Sequence, residues 1–345
     1  MRVLQVMAGA AHGGAETFFV ALVSALARAG LEQHAVIRTH AERAAKLRAA
    51  TVPVAELRFG GKLDFLTPLA LKREVAAFRP DIAVTWMSRA SEKLRPGPFV
   101  HVARLGGYYD LKHYRHCDHL VCNTEDIAAF CRKNGFPADR VHYLPNFVAW
   151  RDAAPVDRAM LDTPADAPVV LALGRLHPNK AFDVLLRALP SVAGAFLWLA
   201  GEGELQGVLE RQASELGVRD RVRFLGWRSD KEALFAAADV CVVPSRSEPF
   251  GNVVLDAWAS GTPLVAAASL GPAAYVAHEV NGLLVPVDDS ATLAGAINRL
   301  LIDRTLAATL AAAGQAKWRD EFSEDVCVRQ WLDFLSAAVK RKAAA

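Results

Sequence analysis

Cysteine is sparse in this chain and odd in number: Cys117, Cys122, Cys131, Cys241 and Cys327, with no pair spaced C-x-x-C. That usage excludes a disulfide-stapled scaffold and predicts a reducing, cytoplasmic setting. Long apolar runs are lacking too, and no stretch approaches the roughly 18–20 residues a spanning helix needs. Arg2 leads at once into the strand-like VLQVMAGA, so no signal peptide is expected. Dense blocks of lysine and arginine are missing, and with a net charge of only +3 no nucleic-acid partner is expected.

What is present is a chain of 345 residues, 52% hydrophobic, which suits two cores of ordinary size better than one. Its charge is unevenly shared. Residues 1–150 hold 20 Lys+Arg against 13 Asp+Glu, or +7, and the remainder 20 against 24, or −4, which sum to +3. Eight of the ten histidines also fall in the first part. This asymmetry predicts an anionic partner or membrane surface for the first part, although scattered solvated charge would give the same count.

Strand and helix patterns alternate along the chain. Strands are expected at Val3–Ala8, His34–Thr39, Ile82–Trp86, Phe99–Leu105, His119–Asn123 and Val141–Leu144. Helices are expected at Glu16–Ala29, Leu66–Phe78 and Glu125–Gly135. A stretch rich in Asp, Ala and Pro, 151–167, has no periodicity and reads as a linker. A second cycle follows, with strands at Val169–Leu173, Phe196–Ala200, Val222–Leu225 and Val240–Val243 and helices at Phe182–Leu189, Leu205–Leu216 and Lys231–Ala238. Such alternation predicts an α/β architecture of two doubly wound, Rossmann-like domains, 1–150 and 168–325, with a cleft between their strand ends. A final helix closes the chain within 326–345.

The stretch 239–268 organises the second cycle. It reads as strand, loop, helix and strand, with Glu248 in the loop, then Pro249, Phe250 and Gly251, and a helix opened by Asn252 and closed by Gly261. The N–H groups of Gly251, Asn252 and Val253 at such a helix start favour an anion. A carboxylate beside them, and Asp256 eight positions on, suits hydroxyls attached to that anion, as in a sugar nucleotide. A helix N-terminus with acidic neighbours explains the spacing equally well. Near the chain start, Gly9 to Thr17 supplies Gly13, Gly14 and Glu16, with His12 as a further loop candidate; glycines there let backbone N–H groups approach a ligand. Gly174-Arg175-Leu176-His177-Pro178-Asn179-Lys180 puts two cations after a strand, and Gly201-Glu202-Gly203 follows another. As a dinucleotide fingerprint the latter fails, because Gln206 stands where a third glycine is needed.

These motifs together resemble family 4 glycosyltransferases, retaining enzymes of the GT-B fold. The resemblance spans nearly the whole chain, is sharpest over Val169–Val285 and at Gly13–Glu16, and implies that the closing helix within 326–345 packs back on the first domain. It implies that Glu248 lies near the transferred sugar and Asp256 on the nucleotide ribose, where the family usually has Glu. It implies Arg175 and Lys180 on the diphosphate, with Ala181 in place of a usual Gly. Gly203, Phe250, Gly251, Asn252, Val253, Gly13 and Gly14 fall among the donor contacts so implied. The family's acceptor-side His is missing or moved to His113, within a stretch, 104–114, whose Tyr108, Tyr109 and basic residues suit a sugar acceptor; Glu16 joins them as an acceptor candidate. No two aspartates stand one residue apart, so the D-x-D metal site of the other large glycosyltransferase fold is not expected, nor any cofactor. His113, His116, Cys117 and His119 lie close in sequence but read better as core or cleft residues than as a metal site.

The implied activity is metal-independent transfer of a sugar from a nucleotide-sugar donor to a glycan or glycolipid acceptor, in lipopolysaccharide or other surface-polysaccharide synthesis. The implied location is cytoplasmic, peripheral on the inner face of the plasma membrane. Two other readings stay open: a GT-B epimerase acting on a sugar nucleotide, and a two-lobed ligand-binding protein.

Overall fold

The computed structural model describes every residue except His12, Lys62 and Ala345. His12, a candidate in the first glycine loop, thus lies outside the described residues. The chain divides into two compact units, Met1–Phe147 with Glu324–Ala345, and Val148–Ser323.

The first unit runs β1 (Arg2–Met7), α1 (Gly14–Arg28), β2 (Glu32–Arg38), α2 (Ala41–Ala49), β3 (Val54–Leu57), α3 (Leu66–Phe78), β4 (Ile82–Trp86), α4 (Ser88–Lys93), β5 (Val100–Leu105), β6 (His119–Cys122), α5 (Glu125–Lys133) and β7 (Val141–Tyr143). The second runs β8 (Val169–Leu173), α6 (Phe182–Ala188), β9 (Phe196–Ala200), α7 (Gln206–Glu215), β10 (Val222–Gly226), α8 (Lys231–Ala237), β11 (Val240–Val243), α9 (Asn252–Ser260), β12 (Leu264–Ala267), α10 (Leu270–Tyr275), β13 (Leu283–Val285), α11 (Ser290–Ile302) and α12 (Arg304–Lys317). The last helix, α13 (Glu324–Ala344), belongs with the first unit.

Every strand pairing in the two sheets is parallel, in the orders β3-β2-β1-β4-β5-β6-β7 and β10-β9-β8-β11-β12-β13. Strands covered on both faces must be apolar on both faces, which is why they read as continuous runs rather than alternating ones. In β1, Val3 and Met7 join the cluster that holds Phe19, Leu22 and Trp331, while Leu4 and Val6 join the opposite one with Phe59, Leu71 and Leu94. Gln5 shares the first face and is kept there by a closed relay. Trp86 Nε1 donates to it at 3.0 Å, it donates to Gln33 at 3.0 Å, and Gln33 donates to the Val23 carbonyl at 2.9 Å. A buried amide so bonded avoids the desolvation cost of an orphan.

Residues 151–167 carry no regular element beyond one short turn, yet they are fastened to the second unit. Val156 N–H donates to the Ala233 carbonyl at 3.1 Å, Arg158 reaches the Ala237 and Ala167 carbonyls, and Trp198 Nε1 donates to Thr163 Oγ1 at 3.0 Å. Side chains rather than a ladder hold this stretch, so it has no period to read.

Within the first unit, β6 and β7 present His119 and His142 to α13. Their ring nitrogens are 3.1 Å apart, and Phe334 of α13 lies 4.7 Å from the His142 ring and 6.0 Å from that of His119. Burial pushes both imidazoles down, His142 to about 4 from an ordinary 6.5. The nearby charges on these elements are mixed: Asp118, Asp139, Arg132, Arg140 and Arg341. A folded-state pKa below the unfolded one means that the unfolded chain binds more protons between these values. Stability is therefore full above pH 6.5 and is lost as pH falls toward 4. Thermal unfolding followed from pH 8 to 4.5 should show Tm falling below pH 6.5, and His142→Phe should flatten that part of the profile.

Candidate active site

In both sheets the strand order reverses, between β1 and β4 and between β8 and β11. Loops leaving adjacent strands at a reversal diverge, and a crevice opens at the carboxyl ends. In the second unit those loops are 174–180 and 244–251, and side chains tie them together. Lys180 Nζ donates to Glu248 Oε2, and the Ser247 N–H donates to the Asn179 carbonyl at 3.2 Å. Arg246 forks onto both carboxylate oxygens of Asp183, at 2.8 and 2.6 Å, and also reaches Asp288. The cation at Lys180 thus has Glu248 as its counter-charge. Its position ahead of α6, where the helix dipole disfavours a cation, is balanced within the chain. Arg175 is exposed and, among the described residues, has no side-chain partner.

The same loop leads into α9 through Gly251, whose φ of +98° only glycine adopts without strain. Among the described residues no side chain caps α9, and an uncapped helix start favours an anion. The loop is fixed from the other side by α10. Gly271 N–H donates to the Glu248 carbonyl at 2.7 Å, and the Tyr275 hydroxyl donates to the carbonyls of Phe250 and Gly251. A Cβ on Gly271 would stand 2.3 Å from the Phe250 oxygen, so the approach requires glycine. The Phe250 ring itself is buried against Tyr275 and Phe322, at 5.5 and 6.4 Å, and only its backbone faces the loop. Asn252 and Val253 are half-buried in the first turn. Gly203 lies against the neighbouring loop, where a Cβ would meet the Leu176 carbonyl at 2.4 Å.

Asp256 sits one turn into α9, 6% exposed, and accepts from Lys231 Nζ at 2.6 Å. Burial raises its pKa while Lys231 pulls it back. Lys231 in turn lies 5.7 Å over the Trp150 ring. Lys231 opens α8, where the helix dipole disfavours a cation; that mismatch was the available sign of a buried acid nearby, and sequence reading missed it. Arg246 and Tyr275 were missed as well.

In the first unit the loop after β1 closes on Glu16. Its Oε1 accepts from the Ala10 N–H at 2.8 Å, and Arg43 donates to the carbonyls of Ala10, at 2.6 Å, and Ala11. A Cβ on Gly13 would stand 2.3 Å from Glu16 Oε2 and would displace that carboxylate, while Gly14 is open. Glu16 is buried, so its carboxylate shapes this loop from beneath. The aromatic stretch after β5 spreads. The Tyr108 hydroxyl donates to Asp126 and its ring meets Phe130, His113 pairs with Glu92, and Tyr109 tilts against Tyr114. Arg104 is not in the loop at all. It is buried between the rings of Phe18 and Trp86, 5.2 Å from each, and donates to Asn146, and burial brings its pKa down to about 10. Tyr109, Lys112, Arg115, Phe130 and Phe136 line an open cavity of about 540 Å³. Cys117 lies 3.7 Å from His101 and His119 bonds His142, so the histidine-rich segment disperses its side chains. Among the described residues no three His, Cys, Asp or Glu side chains are grouped to hold a metal.

Residues 167–303 match the model of glycosyl transferases group 1, and residues 12–149 that of glycosyltransferase family 4. Two Rhizobium meliloti proteins are similar over their full length. The lipopolysaccharide core biosynthesis glycosyltransferase LpsE is 40% identical, covering 94% of this chain and 96% of its own. LpsD, of the same description, is 38% identical, covering 99% and 100%. Among solved structures, Anabaena Alr3699/HepE in complex with UDP and glucose aligns with a TM-score of 0.84 at 24% identity, covering 98% of this chain and 100% of that one, a likeness of fold.

The Lys231–Asp256 pair gives a stability test. Lys231→Met leaves a buried carboxylate without its counter-charge and should cost about 1–3 kcal/mol in urea unfolding. Adding Asp256→Leu should recover most of that loss. An undiminished loss in the double variant would place the cost in the Lys231 stem over Trp150 instead.

Proposed function

Because the chain belongs to the family 4 glycosyltransferases, of the GT-B fold, we propose that it moves a sugar, with retention, from a nucleotide-sugar donor to a glycan or glycolipid acceptor in lipopolysaccharide synthesis. The observation that carries the site assignment is the Lys180–Glu248 pair, formed at the strand reversal beside the uncapped start of α9. A diphosphate at that helix start would draw Lys180 and the partner-free Arg175 to its oxygens, and Glu248 would be released to accept from sugar hydroxyls. Gly203, Gly251, Asn252 and Val253 offer backbone to the nucleotide, and Phe250 holds that backbone from behind. Asp256 reaches a ribose only by giving up part of its bond to Lys231.

In the transfer, the bond from the anomeric carbon to the donor phosphate breaks and the bond to the acceptor oxygen forms on the same face. The acceptor proton passes to the departing phosphate oxygen, whose charge Arg175 and Lys180 offset. The first unit then takes the acceptor side, with Tyr108, Tyr109 and His113 near the acceptor and Gly13, Gly14 and Glu16 shaping the loop after β1. The cations Lys112 and Arg115 beside the aromatic cavity suit an acceptor that carries phosphate or carboxylate groups. An acceptor of this class is borne by a membrane, and an anionic bilayer surface is part of this reading.

Purified protein presented with UDP-, GDP- and ADP-sugars should consume one class and release its nucleoside diphosphate. Glu248→Gln should lower turnover about 100-fold or more with nucleoside diphosphate affinity nearly unchanged, whereas Arg175→Ala should weaken that affinity without moving Tm. Near-normal turnover in folded Glu248→Gln protein would remove Glu248 from the reaction.

A further inference from the structure

Leu63, Phe65, Leu66 and Leu69 stand in solvent within seven residues of the first unit, exposed by 85, 76, 74 and 49%. Other exposed large apolar residues, such as Met160, Trp227 and Ile302, are single in sequence and need no partner. The loop that carries these four is fastened. Asp64 accepts from the N–H groups of Gly60, at 2.7 Å, and Thr67, at 3.0 Å, and from the Thr67 hydroxyl. Lys93 Nζ donates to the carbonyls of Gly61 and Asp64, at 3.1 and 2.8 Å, and Arg89 donates to that of Phe59 at 3.0 Å. Polar groups face inward here and apolar side chains outward, so the loop has its bonds satisfied while it presents a greasy tip.

Cations continue the same surface. Phe65, Leu69, Lys72, Arg73 and Ala76 follow the spacing of one helix face, and all five are exposed. Arg58 and Arg95 are exposed nearby in the fold's order, one on the loop itself and one just past α4. Among the described residues, none of Arg58, Lys72, Arg73 and Arg95 has an acidic partner. From Leu66 to Lys72 the helix rises about 9 Å. That separation sets the apolar tip at one end of the exposed stretch and the cations about two turns along it, the arrangement of an interfacial segment whose apolar side chains enter the acyl boundary while its cations stay at the headgroups. The loop between β3 and α3 also leaves the carboxyl edge of a parallel sheet, the edge from which the aromatic stretch after β5 leaves.

We propose that residues 63–69 are the point at which this protein sits on an anionic bilayer, with Leu63, Phe65, Leu66 and Leu69 in the acyl boundary and Arg58, Lys72, Arg73 and Arg95 on the headgroups. The inference deepens the membrane-borne acceptor reading and rests on it. A second copy is a poorer occupant. Residues 1–147 carry +7 and 324–345 carry four cations against three acids, so the first unit bears +8 and would face its own charge.

The test is vesicle sedimentation of the full chain on phosphatidylcholine alone and on phosphatidylcholine with phosphatidylglycerol. Both are run at low salt and at roughly 0.5 M, where screening reaches only a few ångströms. Wild-type protein should bind the anionic vesicles, and part of that binding should survive high salt. Phe65→Ser/Leu66→Ser/Leu69→Ser should lose the salt-resistant part, at least about tenfold in partition, at unchanged Tm. Lys72→Glu/Arg73→Glu should lose the preference for anionic lipid. Binding that salt abolishes entirely, and that the serine variant leaves intact, overturns this surface but keeps the membrane-borne acceptor. No binding to either vesicle, with sugar still passed to a soluble core fragment, overturns the membrane reading and leaves glycosyl transfer standing. Dimerisation in sedimentation velocity that the serine variant abolishes gives the surface to a second copy and overturns the proposal.

Discussion

Lys180 reaches across the reversal of the second sheet and donates to Glu248, and around that contact the loops after β8 and β11 take their shape. Both partners are mostly withdrawn from water, which strengthens their attraction and makes the loss of either one costly. Arg246 repeats the device one residue-pair away, clasping Asp183 from the loop before α9. The loops are therefore held to each other by charge pairs of the chain's own. Loops tied in this way are ordered by contacts within the chain itself.

Elsewhere buried charge is settled without a ligand. Asp256 has Lys231, Glu16 has the Ala10 N–H with Arg43 close by, and Arg104 has an amide oxygen and two ring faces. These arrangements explain why residues alike on paper fare differently. Arg175 is exposed and unpaired among the described residues, whereas the Arg104 guanidinium is committed to Asn146 and two ring faces in the core of the first unit.

Much of the fold was legible because buried parallel strands are apolar on both faces, and the run Val240–Val243 or Ile82–Trp86 admits no other use. The short elements were not. β3 spans four half-buried residues and α4 only six, five of them polar, and neither is long enough to carry a period. The region after β13 folds into α11 and α12, alanine-rich helices with no motif to single them out. Of the site residues, glycines announced themselves by type, Gly251 and Gly13 above all. The partners of Asp256 and Phe250 did not, because Lys231 and Tyr275 lie far off in sequence and contact depends on the sheet order that brings them in.

The division of the chain has a consequence for how it is made. Cys327, Trp331, Leu335 and Ala338 of α13 are members of the same core as Phe19, Leu22 and Val102. The amino-terminal unit therefore cannot be complete when its own first 147 residues have left the ribosome, since a wall of its interior is encoded after the second unit. The carboxyl-terminal unit, continuous over Val148–Ser323, has all its parts before then. Order of synthesis and order of completion run opposite ways. Until α13 docks, the nascent chain carries one finished body and one with an open apolar seam, the kind of surface on which chaperones act and aggregation starts.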